Sequence, residues 1–208
     1  MDPRDRTREL LKADVDEAFR YAQGIKDDWY RCQSLANVAR YRSSKSSFVQ
    51  TTELALKAAK QLPNPNRIVS CSSWVVKAMA ERPDVDPSET VDEMLKIIAS
   101  EDNPVRQADA LLLLFNAVYS RPAIRYKVLD VLLRACEKMK SWKQQRILSD
   151  IALVLAKDDV PRARQVVERI TKPATKGKTI KLIEDGSCLG PNEFFPYYTK
   201  TPEAHPVR

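Results

Sequence analysis

The sequence has little glycine and almost no histidine, and each shortage narrows what the protein can be. Only four of its 208 residues are glycine, and His205 is the single histidine. Zinc sites and catalytic triads that need histidine therefore have almost no residues to draw on. We expect no metal and no cofactor. Helix formers fill the glycine-poor segments, and this favours α-helix.

Long apolar runs and paired cysteines are also missing. No run approaches the roughly 20 apolar residues needed to span a bilayer. The first thirty residues are charged and lack the apolar centre of a signal peptide. The four cysteines, at positions 32, 71, 136 and 188, are widely spaced and form no CxxC pair. We therefore expect reduced, structural cysteines in a cytoplasmic protein that does not enter a membrane.

Positive charge is concentrated in the C-terminal half of the chain. The net charge is +7: residues 1–104 carry 16 basic and 17 acidic side chains, and residues 105–208 carry 19 and 11. Most of the excess lies in residues 119–146 and 162–181, which we call the two basic segments. A surface of this kind attracts anions and contacts phosphates. The commoner meaning of a charge run, a solvated polar face, remains open beside it.

Ten side chains of the basic segments are candidate contacts for an acidic partner, which would be a protein or a nucleic acid. Few aromatic residues accompany them: Tyr119, Tyr126 and Trp142 are too few for a base-stacking platform. The ten candidates are Arg121, Arg125, Lys127, Arg134, Lys138, Lys140, Arg162, Arg164, Arg169 and Lys172.

Prolines and polar turns divide the chain into pieces with helical spacing of apolar residues. Pro104, Pro122 and Pro161 each follow a turn and fit the first turn of a helix, where a missing N–H costs nothing. No stretch alternates with the period of a strand. The pattern predicts an all-α fold of about ten helices: 4–24, 27–42, 46–62, 65–81, 88–100, 104–119, 122–139, 141–157, 160–172 and 176–185.

Every second helix from 27–42 onward carries an arginine near its start. These arginines are Arg31, Arg67, Arg106 and Arg146, at spacings of 36, 39 and 40 residues. Three residues after each comes a small polar side chain: Ser34, Ser70, Asp109 and Ser149. A period near 40 built from two helices indicates a helical solenoid, that is, a stack of helix pairs. The four arginines either line one face and bind anions, or each forms a bond that holds its own repeat together. Aspartates stand beside two of the four arginines, and this favours the structural role.

"EDNPVRQADALLLL", which begins at Glu101, resembles the second helix of a HEAT repeat, and "KDDWYRCQSLANVA" is a looser copy. The resemblance implies a right-handed α-α superhelix of about ten antiparallel helices in four to five pairs. It also implies structural bonds between turn aspartates and arginines, here Asp27 or Asp28 with Arg31 and Asp102 with Arg106. In such a stack the second helix of each pair lies between neighbours, and this explains its apolar circumference.

We expect residues 1–185 to form one solenoid domain and residues 186–208 an irregular tail, because six glycines and prolines interrupt that segment. The tail contains four clustered aromatics: Phe194, Phe195, Tyr197 and Tyr198. They either fold back to cap the apolar end of the stack or are offered to a partner. "KPATKGKT" (172–179) imitates a phosphate-binding loop but lacks its first glycine and preceding strand, so we expect an ordinary loop there.

The sequence favours a non-enzymatic protein–protein interaction scaffold that binds an extended or acidic partner, a protein or peptide, along the face lined by the second helices. The alternative is nucleic-acid binding through the basic residues 105–181. Some HEAT-like proteins are DNA glycosylases. Here Asp109 and Asp150 are the central carboxylates, without aromatics arranged around them for a flipped base, so we expect no enzyme.

Overall fold

The structure, a computed structural model, describes residues 1–196, and this part of the chain is helical without any strand, as the sequence predicts. Tyr197, Tyr198 and His205 lie outside the described residues. The α-helices are α1 (Pro3–Leu11), α2 (Val15–Gly24), α3 (Asp28–Ala39), α4 (Lys45–Ala59), α5 (Pro65–Glu81), α6 (Ser88–Ile98), α7 (Pro104–Ala117), α8 (Pro122–Glu137), α9 (Trp142–Leu155), α10 (Val160–Glu168) and α11 (Pro173–Glu184). A 3-10 helix, Pro191–Phe194, follows them.

Proline and capping side chains set where the helices begin. Pro104 and Pro122 are the first residues of α7 and α8, and Pro161 is the second residue of α10, as the sequence predicts. Asp27 caps α3 by accepting hydrogen bonds from the backbone N–H groups of its first turn. Asn103 does the same for α7. These oxygens satisfy N–H groups that have no partner within the helix.

The predicted single helix over residues 4–24 is wrong, because the chain turns after Leu11 and starts a second helix at Val15. The Asp14 carboxylate accepts hydrogen bonds from the backbone N–H groups of Asp16 (2.7 Å) and Glu17 (3.1 Å). A capping side chain that can serve the next turn competes with continuation of the helix. Residues 1–196 therefore contain eleven α-helices where the sequence suggests ten.

Six helices contact one another in succession and form what we call the central row: α1, α3, α5, α7, α9 and α11. The remaining helices, α2, α4, α6, α8 and α10, form the second row, and each packs against the two central-row helices that flank it in sequence. Every central-row helix from α3 to α9 thus has helical neighbours on several sides.

Burial differs between the two rows in the way this packing requires. In α3 the eight consecutive residues Cys32–Ala39 are buried, and in α5 so are Cys71–Ala78. Eight residues make more than two turns, so every face of these helices is covered. In α6, by contrast, only Val91, Met94 and Ile98 are buried, a single stripe at helical spacing. This pattern matches the expectation for the apolar second helices of the pairs.

Ion pairs join neighbouring helices of the second row on their exposed sides. Lys60, the C-cap residue of α4, pairs with Glu93 of α6, and Lys127 of α8 pairs with Asp92 of α6. Arg162 of α10 and its C-cap residue Arg169 pair with Asp130 and Glu137 of α8. Exposed pairs of this kind contribute about 0–1 kcal/mol each. Packing of the central row is therefore the larger stabilising interaction. No helix within residues 1–196 has both the length and the apolar character to cross a bilayer.

Removing a buried leucine from the centre of α7 tests the importance of this packing. Leu111 is fully buried, and Leu113 on the same helix is half-buried. Leu111→Ala should lower the free energy of unfolding by about 2–5 kcal/mol, because it removes apolar contacts and leaves a cavity. Urea denaturation measures this change, with Leu113→Ala as the matched control. An equal loss in both variants would contradict the burial difference.

Candidate interaction face

The segment 186–196 turns back from the end of α11 and lies against helices of the central row. Gly186 begins it with φ of +70°, a left-handed conformation that glycine adopts without strain. The 3-10 helix at Pro191–Phe194 packs against α7. Phe195 then reaches α5, where its side chain is 1% exposed. The chain's own C-terminal segment thus crosses this face of the central row.

Phe195 occupies a site made by two residues of α5. Its ring meets the Trp74 ring edge-on, with centroids 5.3 Å apart at 82°. The Nζ of Lys77 lies 5.4 Å from the centroid of the Phe195 ring. An edge-on aromatic pair and a cation over a ring face are both favourable geometries. The site is therefore suited to an aromatic side chain.

A buried charge cluster supports this aromatic site from below. The Lys77 side chain is 4% exposed, and its Nζ pairs with Glu81 at 2.9 Å. Glu81 also pairs at 3.1 Å with Arg40, the C-cap residue of α3. Burial lowers the pKa of Lys77, and Glu81 opposes that shift. The cluster holds the lysine in place beneath the ring of Phe195.

The tail aromatics do not behave as one group. Phe195 packs on α5, in the middle of the central row, whereas capping of the stack would place it on the last helix. Phe194 is half-buried against the core. The other two predicted aromatics, Tyr197 and Tyr198, lie outside the described residues. No spacing in the sequence connects Phe195 with Trp74, and the isolated Lys77 in the apolar run "WVVKAMA" is the signal that could have indicated this site.

Each arginine of the repeat series contacts a different group, and Arg67 reaches a neighbouring helix. Arg31 pairs with Asp28, and the guanidinium of Arg67 lies 5.4 Å from the centroid of the Trp29 ring. Arg146 is 3.9 Å from Asp150. Because each arginine contacts a different group, the structure does not bring the four arginines together as one anion site.

The predicted partner of Arg106 is corrected. Its Nε lies 3.5 Å from Glu101, whose side chain is 6% exposed, while Asp102 is exposed in the turn. The Glu101 carboxylate also accepts a hydrogen bond from the backbone N–H of Asn103, which directs it toward α7.

The small polar residues that follow the arginines lie between packed helices. Ser34 is fully buried, and Ser70, Asp109 and Ser149 are half-buried. The Ser149 hydroxyl is 2.8 Å from that of Thr179 and so connects α9 to α11. Small side chains allow neighbouring helices to approach closely.

Two of the ten basic candidates do not face solvent, and their assignment to an exposed patch is wrong. The Arg125 side chain is 2% exposed; it donates to Asp158 (2.8 Å) and lies over the rings of Tyr119 and Tyr126. Arg121 donates to three backbone carbonyls in the turn between α5 and α6. The same packing engages Tyr119 and Tyr126 within the protein.

The other basic candidates divide into paired and unpaired side chains. Lys127, Arg162 and Arg169 take part in the ion pairs of the second row. Five are exposed and form no ion pair with any residue of the described chain: Arg134, Lys138, Lys140, Arg164 and Lys172.

The stretch "KPATKGKT" is helical, and the expected loop is wrong. Pro173 starts α11, and the backbone N–H groups of Thr171 and Lys172 donate to the Oε1 of Gln145 on α9. Its Gly177 therefore lies inside a helix and not in a phosphate-binding loop. Among residues 1–196, no three His, Cys, Asp or Glu side chains are grouped to hold a metal.

The four cysteines are free, and three of them are buried in central-row or second-row helices. Burial raises the pKa of the Cys71 thiol well above its ordinary value, and burial raises the pKa of Cys136 to about 12. Cys188, in the tail segment, is half-buried. The thiolate is the reactive form, so the buried thiols are unreactive in the folded protein.

Comparison with protein-family models, with curated proteins and with solved structures found no match to this chain.

Removing the hydroxyl of Tyr126 tests the polar cluster around Arg125. That hydroxyl donates to Asp159 at 2.5 Å and lowers the pKa of the carboxyl. The pKa of Asp159 in the folded protein thus lies below its unfolded value of about 3.9. The hydrogen bond therefore stabilises the folded protein above that pH, and this stabilisation is lost as the pH falls through the folded pKa. Tyr126→Phe should raise the pKa of Asp159 and flatten this acid-side loss of stability.

NMR titration of the Asp159 carboxyl carbon and urea denaturation at neutral and acidic pH measure the two effects. Tyr21→Phe is the control, because Tyr21 is exposed and remote from the cluster. An unchanged Asp159 pKa in Tyr126→Phe would contradict the hydrogen bond.

Thiol reactivity tests the burial of the cysteines. Ellman's reagent should modify Cys188 quickly in the native protein, because that thiol alone is partly exposed. Cys32, Cys71 and Cys136 should react only in denaturant, since burial blocks the reagent and raises the pKa of two of them. Absorbance at low and high urea measures the number of reacting thiols. Rapid modification of more than one thiol in native conditions would show that the packing is wrong.

Proposed function

We propose that the protein is a non-enzymatic protein–protein interaction scaffold, built as a right-handed solenoid of HEAT-like helix pairs. The successive contacts along the central row and the flanking second row support this architecture. Repeat stacks present extended surfaces that suit extended partners. In this proposal the central-row face of α5, α7 and α9 binds an extended segment of a partner protein. The free thiols support a location in the reducing cytoplasm.

The observation that carries the proposal is the position of the chain's own segment 186–196. An irregular, proline-containing stretch lies across this face and places one aromatic side chain, Phe195, in the site of Trp74 and Lys77. This is the arrangement by which a surface binds a peptide through a single buried anchor. A partner segment with an aromatic anchor would use the same contacts.

The tail is held in a way that allows a partner to replace it. Phe195 is its only fully buried residue within 186–196, and Ser187, Asn192, Glu193 and Pro196 are exposed. Its regular structure is a 3-10 helix of four residues. A segment attached mainly through one anchor is released by a competitor that supplies a similar anchor at sufficient concentration.

Nucleic-acid binding through residues 105–181 has weaker support than the scaffold. Arg121 and Arg125 are used in packing, and Lys127, Arg162 and Arg169 are paired with carboxylates. Phosphate contacts need unpaired cations along a continuous track. Half of the ten candidates are therefore already engaged within the protein.

Exchange of the tail in trans tests the scaffold proposal. Phe195→Ala in the full chain should release the tail segment. A fluorescein-labelled peptide of residues 186–208 should then bind this variant at least about tenfold more tightly than it binds the wild type, because the attached tail no longer competes. Fluorescence anisotropy measures the two affinities. Phe194→Ala, at a half-buried position, is the matched control and should leave the site occupied.

Two further variants test whether binding uses the aromatic site. A peptide that carries Phe195→Ala should not bind, and Trp74→Ala in the recipient chain should remove binding of the native peptide. Absence of any exchange, together with a large fall in melting temperature on truncation after Asp185, would show that the tail is a fixed part of the fold.

A further inference from the structure

A second feature of the same region is a cleft between α9 and α11 with a volume of about 530 Å³. This volume is in the range of sites that hold a small ligand or a few side chains of a peptide. Its lining comes from both helices, from Lys172 before α11 and from Leu189 of the tail segment. We call it the α9–α11 cleft.

The edge of the cleft carries an exposed tryptophan. Trp142, the first residue of α9, is 70% exposed, while Trp74 is 4% exposed and Trp29 is packed against the core. Exposure of an indole to water is unfavourable, and tryptophan is the residue type most enriched among the energetically dominant contacts of interfaces. Trp142 is therefore available to a partner in a way that the other two are not.

Three cations and one carboxylate surround the cleft. Arg146, Lys172 and Lys178 contribute the positive charges, and Asp150 the negative charge. Arg146 lies 3.9 Å from Asp150 but remains 57% exposed at its side chain. The other two cations, Lys172 and Lys178, form no ion pair within the described chain.

Lys172 is fixed in position by the backbone around it. The amide oxygen of Gln145 accepts hydrogen bonds from the backbone N–H groups of Thr171 (2.9 Å) and Lys172 (3.0 Å). Gln145 is itself 9% exposed, so the turn before α11 is fastened to α9 by a largely buried side chain. These bonds fix the backbone from which the exposed Lys172 side chain starts at the edge of the cleft.

Between these charges the cleft is apolar. Leu153 of α9, Leu182 of α11 and Leu189 of the tail segment line it. Leu189 belongs to the segment that continues to Phe195, so the cleft is continuous with the interaction face. A partner segment that displaces the tail takes the place of Leu189, so its next few residues lie against Leu153 and Leu182 in the cleft.

We infer that the α9–α11 cleft binds an acidic peptide segment of the partner, with an apolar side chain among the leucines and beside Trp142, and carboxylates at Arg146, Lys172 and Lys178. The inference rests on the proposed scaffold function and adds the charge of the partner to it. Charge complementarity of this kind fixes register and selects among partners.

A peptide fits the cleft better than a single-stranded nucleic acid does. Non-specific binding of nucleic acid needs successive aromatic platforms and a cationic groove that follows the backbone. Here one indole is exposed, Asp150 lies within the cleft, and the neighbouring Arg169 and Lys176 are paired with carboxylates. Aliphatic leucines are suited to an apolar side chain and not to base stacking.

The test uses the full chain and three fluorescein-labelled probes: the acidic peptide EDLFED, its basic counterpart KRLFKR, and a short oligothymidylate. The acidic peptide should bind with an affinity that falls as salt is added. The charge reversal Lys172→Glu/Lys178→Glu and, separately, Trp142→Ala should each weaken it by about tenfold or more. Lys45→Glu/Lys96→Glu makes the same change in net charge at exposed positions outside the cleft and should leave binding unchanged.

Any of three results would overturn the inference. The first is equal binding of the acidic and basic peptides, and the second is equal binding of the acidic peptide to the wild type and both cleft variants. The third is Trp142-dependent binding of the oligothymidylate that displaces the acidic peptide. Circular dichroism and melting temperature establish that the variants are folded. Tail exchange on the Phe195→Ala variant depends on Trp74, so it reports on the scaffold proposal separately. Successful exchange without binding of the acidic peptide rejects the cleft assignment alone.

Discussion

Close packing of α3, α5, α7 and α9 against one another is the constraint on which the rest of the structure depends. Each has helices on several sides, so most of its circumference is covered, and a charged side chain buried there, such as Lys77 in α5, needs a partner. The buried runs Cys32–Ala39 and Cys71–Ala78 contain cysteine, serine and alanine, which let neighbouring backbones approach. This requirement also explains the leucine-rich α7, where a run of apolar residues that would be unfavourable on a surface is covered all round. The second row has to bury only one stripe per helix, and its remaining faces are free to carry charge.

The same packing leaves a face of the central row for the tail and the cleft. Most side chains of a buried helix are covered by neighbouring helices and cannot contact a partner. Two groups on the central row remain for recognition: Trp74 with Lys77, and Trp142 with its neighbouring cations. The aromatic site is already occupied by Phe195, whereas Trp142 is exposed. In the proposed function, recognition divides into an apolar anchor site that the tail already occupies and an exposed site selective for charge.

Features that depend on local chemistry could be predicted from the sequence, and features that depend on long-range contacts could not. Proline at the start of α7 and helical spacing are local, and both were sufficient to place the helices. The break before Val15 is local as well, but it needed the capping geometry of Asp14. The burial of Arg125 depends on Asp158, which is 33 residues away. The site of Phe195 likewise depends on a helix more than a hundred residues earlier, and no spacing rule connects the two.

The contrast between the two rows has a mechanical consequence. Apolar packing holds the central row, and salt does not screen it, whereas the second row is joined laterally through exposed charge pairs such as Lys127 with Asp92 and Arg162 with Asp130. Deformation that spreads the second row breaks weak, screened attractions, while deformation that spreads the central row exposes hydrocarbon. The two rows therefore differ in what holds neighbouring helices together: apolar packing in the central row and salt-sensitive charge pairs in the second row.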